Sequence, residues 1–408
     1  MKTEGGIQIR WPLSAAYKLK ALYERPDSKG GLYIRTAAQL VAIPPSAFIL
    51  WQGGYFIFIK NTILLSSNMT ESRKFLIRMP NWVGDAVMAT PLIVDLKNAF
   101  PDSQITLMCQ GAINQLFLHE PLISGMIAFK KPSGFVHRVH QSDLIHDLRK
   151  GEFDTGILTT NSFSSAWWFY RGNIPQRIGF RDRGRSFLLT DPVNFPKNRE
   201  SQHLIKTYKE LLKPLGIPVS DTPTRLVVTD EERNSALSLL KKEGYLGGNI
   251  IGINPGAAYG SAKCWLPDRF RKLAEELIKD PSTYVVFYGD NSQRAMIDGI
   301  TNDLGSQVIN LSGKTTLREL MAFISLSNVF VSNDSGPLHL AYALKIPVVA
   351  IFGPTSEVIS GPQGKSLTIH KHVECSPCFK RTCPIDQRCM TRIETDEVYE
   401  AVKRLLNG

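Results

Sequence analysis

Short apolar runs alternate with amphipathic helical patterns along most of the chain. The first apolar run covers residues 75–79, stops at Pro80, and is followed by a helical pattern over residues 85–100. Further strands are predicted at residues 105–109, 155–159, 226–228, 249–254, 284–288, 329–332 and 347–352. Further helices are predicted at residues 201–215, 267–279, 317–326, 337–344 and 396–406, the last with Thr395 as N-cap, and one more begins at Asp230. This alternation predicts an α/β fold with parallel sheets covered by helices on both faces.

The alternation falls into two halves. Prolines and glycines interrupt residues 213–224, and a glycine pair at 247–248 precedes the second series of strands. We therefore predict an N-terminal extension over residues 1–73 and two Rossmann-like, doubly wound domains over residues 74–247 and 248–408. The C-terminal helix is also a candidate for packing back on the first domain.

The extension contains an apolar and aromatic stretch at residues 41–59, which Pro44, Pro45 and a glycine pair interrupt. Its surroundings are basic, because residues 1–74 hold ten Lys and Arg against four Asp and Glu. Three interpretations stay open: a membrane span, a segment lying at the membrane interface, or an appended segment without a role. No cleavable signal peptide is expected, so we expect a cytoplasmic protein.

The remainder of the chain is only mildly basic. Of the formal net charge of +11, residues 75–408 contribute 38 Lys and Arg against 33 Asp and Glu. That balance suits anionic small molecules or lipid headgroups. It gives no nucleic-acid footprint, so no nucleic-acid partner is expected.

The loop after the first strand carries the first candidate for chemistry. It contains Gly84, which permits close backbone approach, and Asp85, which lies near a helix N-terminus. An aspartate in this position is equally typical of a helix cap and of a base that takes a proton from a sugar hydroxyl.

Two loops of the second half carry features of an anion site. Residues 254–263 join a strand to a helix with small residues, among them Gly256 and Ser261, and end at Lys263. Exposed backbone N–H groups and a lysine suit a phosphate, although the loop fits neither a Walker A nor a GxGxxG pattern. An ordinary surface loop is the alternative interpretation.

The other anion loop covers residues 332–339. Ser335 and Gly336 offer donors to a pyrophosphate at a helix N-terminus. Asp334 is acidic and is expected to order the loop or to bind a ribose hydroxyl. His339 is a donor-site candidate that is also typical of a buried structural histidine.

One acidic loop facing two anion loops favours transfer of a sugar from a nucleotide diphosphate donor. Lys263 and helix N-termini can stabilise the leaving group, and no DxD motif stands at a strand end. We therefore predict no cofactor and no metal requirement. A dinucleotide-binding oxidoreductase is the alternative from another class, disfavoured by the missing GxGxxG.

Two side-chain clusters stand apart from these loops. Arg181, Arg183 and Arg185 are candidates for holding an anionic glycolipid acceptor, with a solvated face as the alternative. Four cysteines follow near the C-terminus, at positions 375, 378, 383 and 389. Structural thiols are favoured there, and a metal-binding interaction module is the alternative.

These motifs together resemble the ADP-heptose:lipopolysaccharide heptosyltransferases, glycosyltransferase family nine. The resemblance covers about residues 74–406 and rests on residues 78–85, 254–265, 332–339 and the Cys-x-Pro-Cys stretch from Cys375. The Asn-Trp-Val-Gly-Asp form and the cysteines are more similar to heptosyltransferase II than to I. Residues 1–73 have no counterpart in the family pattern.

The resemblance implies a GT-B fold, in which an acceptor domain and a nucleotide-sugar domain face a central cleft. It implies an inverting transfer from ADP-heptose to a heptosylated Kdo–lipid A core, with another nucleotide sugar as the alternative. Asp85 would be the base, and Lys263 would bind the donor phosphate. The donor site would also include Asp290 and Thr316. We expect a monomer in peripheral contact with the inner membrane.

Overall fold

The chain forms two separate compact units, residues 1–71 and residues 72–408. The computed structural model describes residues 72–130, 132–182, 184–198 and 200–408, together with the backbone of five N-terminal strands. Those strands are β1 (Ile7–Gln8), β2 (Leu32–Arg35), β3 (Leu40–Ile43), β4 (Phe48–Gln52) and β5 (Tyr55–Ile59).

The N-terminal strands pair antiparallel in two groups. One is a three-stranded sheet in the order β1-β5-β4, and the other is the pair β2-β3. The side chains at 41–59, on which the membrane interpretations depend, lie outside the described residues. Among the helices that the structure describes, none is long and apolar enough to cross a membrane.

The larger unit begins with a six-stranded parallel sheet. Its strands are β6 (Lys74–Arg78), β7 (Gln104–Gln110), β8 (Gly125–Phe129), β9 (Thr155–Leu158), β10 (Gln176–Phe180) and β11 (Asp191–Val193). The spatial order is β11-β10-β9-β6-β7-β8. The winding direction therefore reverses between β6 and β9, and the loops after these strands open into a crevice at the carboxyl edge.

A second parallel sheet repeats the same order. Its strands are β12 (Asn249–Asn254), β13 (Thr283–Phe287), β14 (Val308–Asn310), β15 (Val329–Asn333), β16 (Val348–Phe352) and β17 (Ser366–His370). They lie in the order β14-β13-β12-β15-β16-β17. Here the reversal falls between β12 and β15, the two strands that precede the predicted anion loops. Two doubly wound sheets confirm the predicted fold class.

Helices cover both faces of the sheets. This explains why the strands are apolar along their whole length, since a strand covered on both faces has no side in contact with solvent. Helices of the first half are α1 (Val83–Met88), α2 (Thr90–Ala99), α3 (Phe135–Val139), α4 (Ser142–Gly151), α5 (Phe163–Arg171), α6 (Leu204–Lys209) and α7 (Asp230–Lys242). Those that follow are α8 (Pro267–Leu277), α9 (Arg294–Thr301), α10 (Leu317–Ile324), α11 (Gly336–Ala343), α12 (Glu357–Ser360), α13 (Arg388–Thr391) and α14 (Thr395–Asn407). Helix α14 packs on α8 and on β15, β16 and β17, although the sequence left open a return to the first domain.

Three local predictions are wrong. The helix predicted at 85–100 is two helices that meet at Ala89, because Pro91 cannot donate to a continuous ladder. Residues 226–228 pair with no strand, and the neighbouring Arg225 N–H donates to Thr90 Oγ1 at 3.2 Å. The N-cap of α14 is Glu394, which forms a capping box with Glu397, rather than the predicted Thr395.

Candidate functional site

The loop after β6 places Asp85 inside the first turn of α1. Trp82 is the N-cap of this short helix, and no side chain forms a capping hydrogen bond there. The capping alternative for Asp85 is therefore not realised. The carboxylate lies instead at the wall of a cavity of about 550 Å³.

The two halves of the unit meet directly at this cavity, where α1 packs against α11. Gly84 lies close to His339 there: a Cβ atom on Gly84 would lie 2.5 Å from His339 Cδ2. Gly336 faces Val83 in the same way, with a Cβ position 3.1 Å from that of Val83. Glycine is thus required at position 84 by a side chain from the other half.

A Gly84→Ala substitution is expected to destabilise the protein by about 1–3 kcal/mol, the usual cost of overpacking. The added methyl group must displace the buried ring of His339. Urea unfolding measures this change. Gly299→Ala is the matched control, because Gly299 is also helical but nothing lies within 4 Å of its Cβ position. That control should be neutral or gain up to about 1 kcal/mol, and equal effects of both changes would refute the contact.

The opposite wall carries an ion pair between the two predicted anion loops. Lys263 Nζ donates to Asp334 Oδ2 at 2.5 Å, and both side chains are largely buried. Thr355 Oγ1 donates to the same carboxylate oxygen at 2.6 Å. The ring of Tyr259 lies 4.8 Å from Lys263 Nζ, measured to the ring centroid. Lys263 is therefore held at the cavity with Asp334 as its partner, and its predicted contact with a donor phosphate stays a prediction.

A C-terminal segment rich in cysteine holds the loop that carries Lys263. The Gln387 side-chain amide donates to the carbonyls of Ser261 and Cys264 at 3.0 and 2.9 Å. The Ala262 N–H donates to the Arg381 carbonyl at 3.0 Å. The backbone of this loop is thus held by the Gln387 side chain and the Arg381 carbonyl, which follow it by more than a hundred positions.

The environment of Asp85 favours its protonated form. Burial is the main cause, and the nearby negative charge of Asp334 adds to it, while Lys263 opposes it. Together these effects raise the pKa of Asp85 to about 6. A carboxylate with this pKa is ionised at neutral pH yet basic enough to accept a proton, which matches the requirement for general base catalysis.

His339 is a neutral side chain between the two walls. Burial lowers its pKa to about 4, against a smaller opposing effect of Asp334. Its Nδ1 atom lies 3.2 Å from the Tyr342 hydroxyl, and its Nε2 atom lies 3.9 Å from Asp334 Oδ1. The imidazole therefore lines the cavity as an uncharged hydrogen-bonding group. His339 is thus a buried histidine, and it also lies where the donor-site interpretation requires it.

The cavity collects most of the residues predicted to bind a donor. Besides Asp85, Lys263, Asp334 and His339, its lining includes Gly256, Asp290, Thr316, Ser335 and Gly336. Ser261 is exposed, and its contribution is the carbonyl that accepts from Gln387. The roles of these residues in binding stay predictions. A volume of about 550 Å³ lies within the range of small-molecule sites.

The three arginines predicted to bind an acceptor differ in their surroundings. Arg185 is 1% exposed, donates to the Thr160 and Phe180 carbonyls, and has its pKa lowered to about 10 by burial. Its buried guanidinium therefore links the loop after β9 to the last residue of β10. Arg181 is exposed and donates to Asn194 Oδ1 at 3.1 Å. Arg183 lies outside the described residues.

Sequence reasoning missed the loop after β16. Thr355 and Ser356 line the cavity, and Thr355 donates to Asp334. The sequence offers the same signal here as for the other loops, namely small polar residues directly after an apolar strand. Gly353-Pro354-Thr355-Ser356 follows the predicted strand at 347–352.

Comparison with known proteins identifies a family that the chain matches. Residues 142–388 match the family model of glycosyltransferase family 9 (heptosyltransferase). Lipooligosaccharide heptosyltransferase 2 of Campylobacter jejuni is 29% identical over 81% of this chain and 99% of its own length. Lipopolysaccharide heptosyltransferase 2 of Salmonella typhimurium is 29% identical over 71% and 85%. The structure of Escherichia coli ADP-heptose lps heptosyltransferase II superposes with a TM-score of 0.71 at 26% identity, covering 82% of this chain and 98% of that one.

Proposed function

The chain belongs to glycosyltransferase family 9, the heptosyltransferases, and on this premise we propose that it transfers heptose from ADP-heptose to the inner core of lipopolysaccharide. Relatives named heptosyltransferase 2 extend over most of the chain and support heptose transfer, and the similar Escherichia coli ADP-heptose lps heptosyltransferase II supports this donor. The acceptor in this proposal is a core that already carries one heptose on Kdo–lipid A.

The observation that carries the proposal is the opposition of Asp85 to the Lys263–Asp334 pair across one cavity. Each wall is built by loops at the reversal point of a parallel sheet, where doubly wound folds bind their ligands. One wall supplies a carboxylate with the pKa of a base, and the other supplies a cation and the N-terminus of α11.

The proposed reaction is a single displacement with inversion. An acceptor hydroxyl oxygen attacks the anomeric carbon of heptose while Asp85 takes the hydroxyl proton. The bond from that carbon to the diphosphate oxygen breaks, and the electron pair leaves with ADP. Lys263 and the N–H groups at Ser335 and Gly336 stabilise the charge that develops on the diphosphate.

The pH dependence of kcat/KM should report Asp85. Because the base acts in its ionised form, kcat/KM should rise about tenfold per pH unit below about pH 6 and level off above it. Asp334→Asn should move the inflection to lower pH, since Asp334 contributes to the raised pKa. An inflection near 6 that persists in the residual activity of Asp85→Asn would assign the titration to another group.

The proposed acceptor is tested by comparing transfer from ADP-heptose to mono-heptosylated and unheptosylated Kdo–lipid A. We expect product only with the mono-heptosylated acceptor. Transfer only to the unheptosylated acceptor would place the chain with heptosyltransferase I.

Parallel reactions with UDP- and GDP-sugars test the donor, and equal rates with these would refute ADP-heptose as the substrate.

We also propose that the enzyme acts as a monomer at the cytoplasmic face of the inner membrane, where its glycolipid acceptor is embedded. The basic N-terminal extension suits anionic headgroups. Sedimentation with and without anionic vesicles, using the full chain, tests this location. No enrichment on the vesicles would refute the membrane contact.

A further inference from the structure

Three side chains of the kind that bind metals converge beside the loop after β16. Glu357 begins α12, His370 ends β17, and His372 follows two residues later. One ligand atom from each lies within 4.8 Å of the other two. Over the part of the chain that the structure describes, this is the one group of three or more His, Cys, Asp or Glu side chains that meets this spacing. The four cysteines at 375–389 do not converge in this way.

The hydrogen bonds of His370 fix which ring nitrogen carries the proton. Its Nε2 atom lies 3.1 Å from the Gly353 carbonyl oxygen and 2.9 Å from Ser376 Oγ. The Ser376 hydroxyl donates to the same Gly353 carbonyl. Since the carbonyl can only accept and the serine proton is already committed, Nε2 must be the donor. A far-side N–H bound to a backbone carbonyl is the arrangement that metal-ligating histidines adopt.

The other nitrogen of His370 faces the carboxylate of Glu357. Nδ1 lies 2.7 Å from Glu357 Oε2. This contact is satisfied either by a proton on Nδ1 or by a cation that the nitrogen and the carboxylate oxygen share. The second carboxylate oxygen, Oε1, faces His372 Nε2 at 3.5 Å. Glu357 thus stands between two imidazoles, of which His370 is 3% and His372 is 69% exposed at the side chain.

We propose that Glu357, His370 and His372 form a binding site for a divalent transition-metal ion of the zinc class. Two imidazoles and one carboxylate favour zinc over magnesium or calcium, which prefer all-oxygen sites. The buried His370 ring and the partly buried Glu357 carboxylate are held in place by their neighbours, and exposed His372 can turn to close the site at a metal–nitrogen distance of about 2.0–2.1 Å. Water on the open side completes four ligands.

The bound ion would join the start of α12 to the end of β17. Thr355 and Ser356, immediately before α12, line the donor cavity, and Thr355 donates to Asp334. The ion therefore stabilises one wall of that cavity and takes no part in the transfer itself. The proposal is independent of the donor and acceptor assigned above.

The test is a titration of the full chain with Zn²⁺ and with Co²⁺, after removal of metal by a chelator. We expect one equivalent to bind, with the Kd for Zn²⁺ at least tenfold weaker in His372→Ala and in Glu357→Gln. His137→Ala is the matched control, because His137 is an exposed histidine in the first half of the unit, and its Kd should be unchanged. Bound Co²⁺ should lack the near-ultraviolet charge-transfer band that thiolate ligands produce.

A Cys375→Ser, Cys378→Ser double variant separates this site from the cysteines. It should keep the wild-type Kd. Loss of binding in that variant with full binding in His372→Ala would overturn the proposal and assign the ion to the thiols. Absence of binding to the wild-type chain would also overturn it, leaving a proton between His370 and Glu357. Thermal unfolding of each variant without metal verifies that the fold is retained.

Discussion

Replacing Asp85 with alanine should lower kcat about 100- to 10,000-fold, the range that a positioned general base contributes. ADP should still bind, because the groups proposed to bind the diphosphate lie on the opposite wall with Lys263 and α11. The fold should not suffer, because burial already disfavours the Asp85 charge. Single-turnover transfer measures the loss, and calorimetric titration with ADP measures the retained affinity.

Two further variants make this result specific. Asp85→Asn keeps the shape of the side chain and removes the base, so it should lose as much as alanine. Asp102→Ala removes an exposed aspartate of the same half, next to the amino end of β7, and should leave kcat unchanged. Transfer at the wild-type rate by Asp85→Asn would exclude this residue as the base.

Replacing Lys263 with alanine should lower kcat/KM for the donor about 10- to 150-fold, which corresponds to about 1.5–3 kcal/mol for a charge-assisted hydrogen bond. The loss should appear in ADP affinity as well, since in the proposed binding mode the ground-state diphosphate makes the same contact. Lys272→Ala is the matched control, because Lys272 is an exposed lysine on the helix that follows the loop. Equal donor kinetics in Lys263→Ala and wild type would exclude the phosphate contact.

Stability must be separated from binding in this experiment. Lys263→Ala leaves the buried Asp334 carboxylate with Thr355 but without its cation, and unpairing a buried charge costs about 3–5 kcal/mol. Adding Asp334→Asn should restore much of the lost stability without restoring donor affinity. If stability and affinity recover together, the lysine acts only through the fold.

The strands nearest the site were predictable from sequence because they are apolar on both faces. Residues 249–254 form β12 with the predicted bounds, and residues 329–332 fall one residue short of β15. Their loops follow at the carboxyl edge as a rule of the fold, so the sequence could place Asp85, Lys263 and Asp334 at that edge, while their roles stay predictions.

The sequence could not show which residues contact one another in the folded chain. Residues 226–228 have the composition of a strand, yet a strand exists only when a neighbour completes its ladder, and Thr90 provides just one bond there. Arg185 has the charge of an acceptor contact, but a sequence does not give the direction of a side chain. The ion pair between Lys263 and Asp334 joins residues 71 positions apart, and no local pattern encodes it.

The hydrogen bonds from the Gln387 side chain to the loop that carries Lys263 also have a consequence for folding during synthesis. The bonded carbonyls precede Gln387 by 123 to 126 residues, so the loop acquires these contacts only after nearly the whole chain has been synthesised. The strands of both sheets are complete by residue 370, which allows the core to form earlier, since domains can fold during synthesis. A ribosome-bound chain that stops before Arg381 would thus hold both sheets but lack the contacts of Arg381 and Gln387 with this loop, so the loop that carries Lys263 would be among the last parts of the molecule to mature.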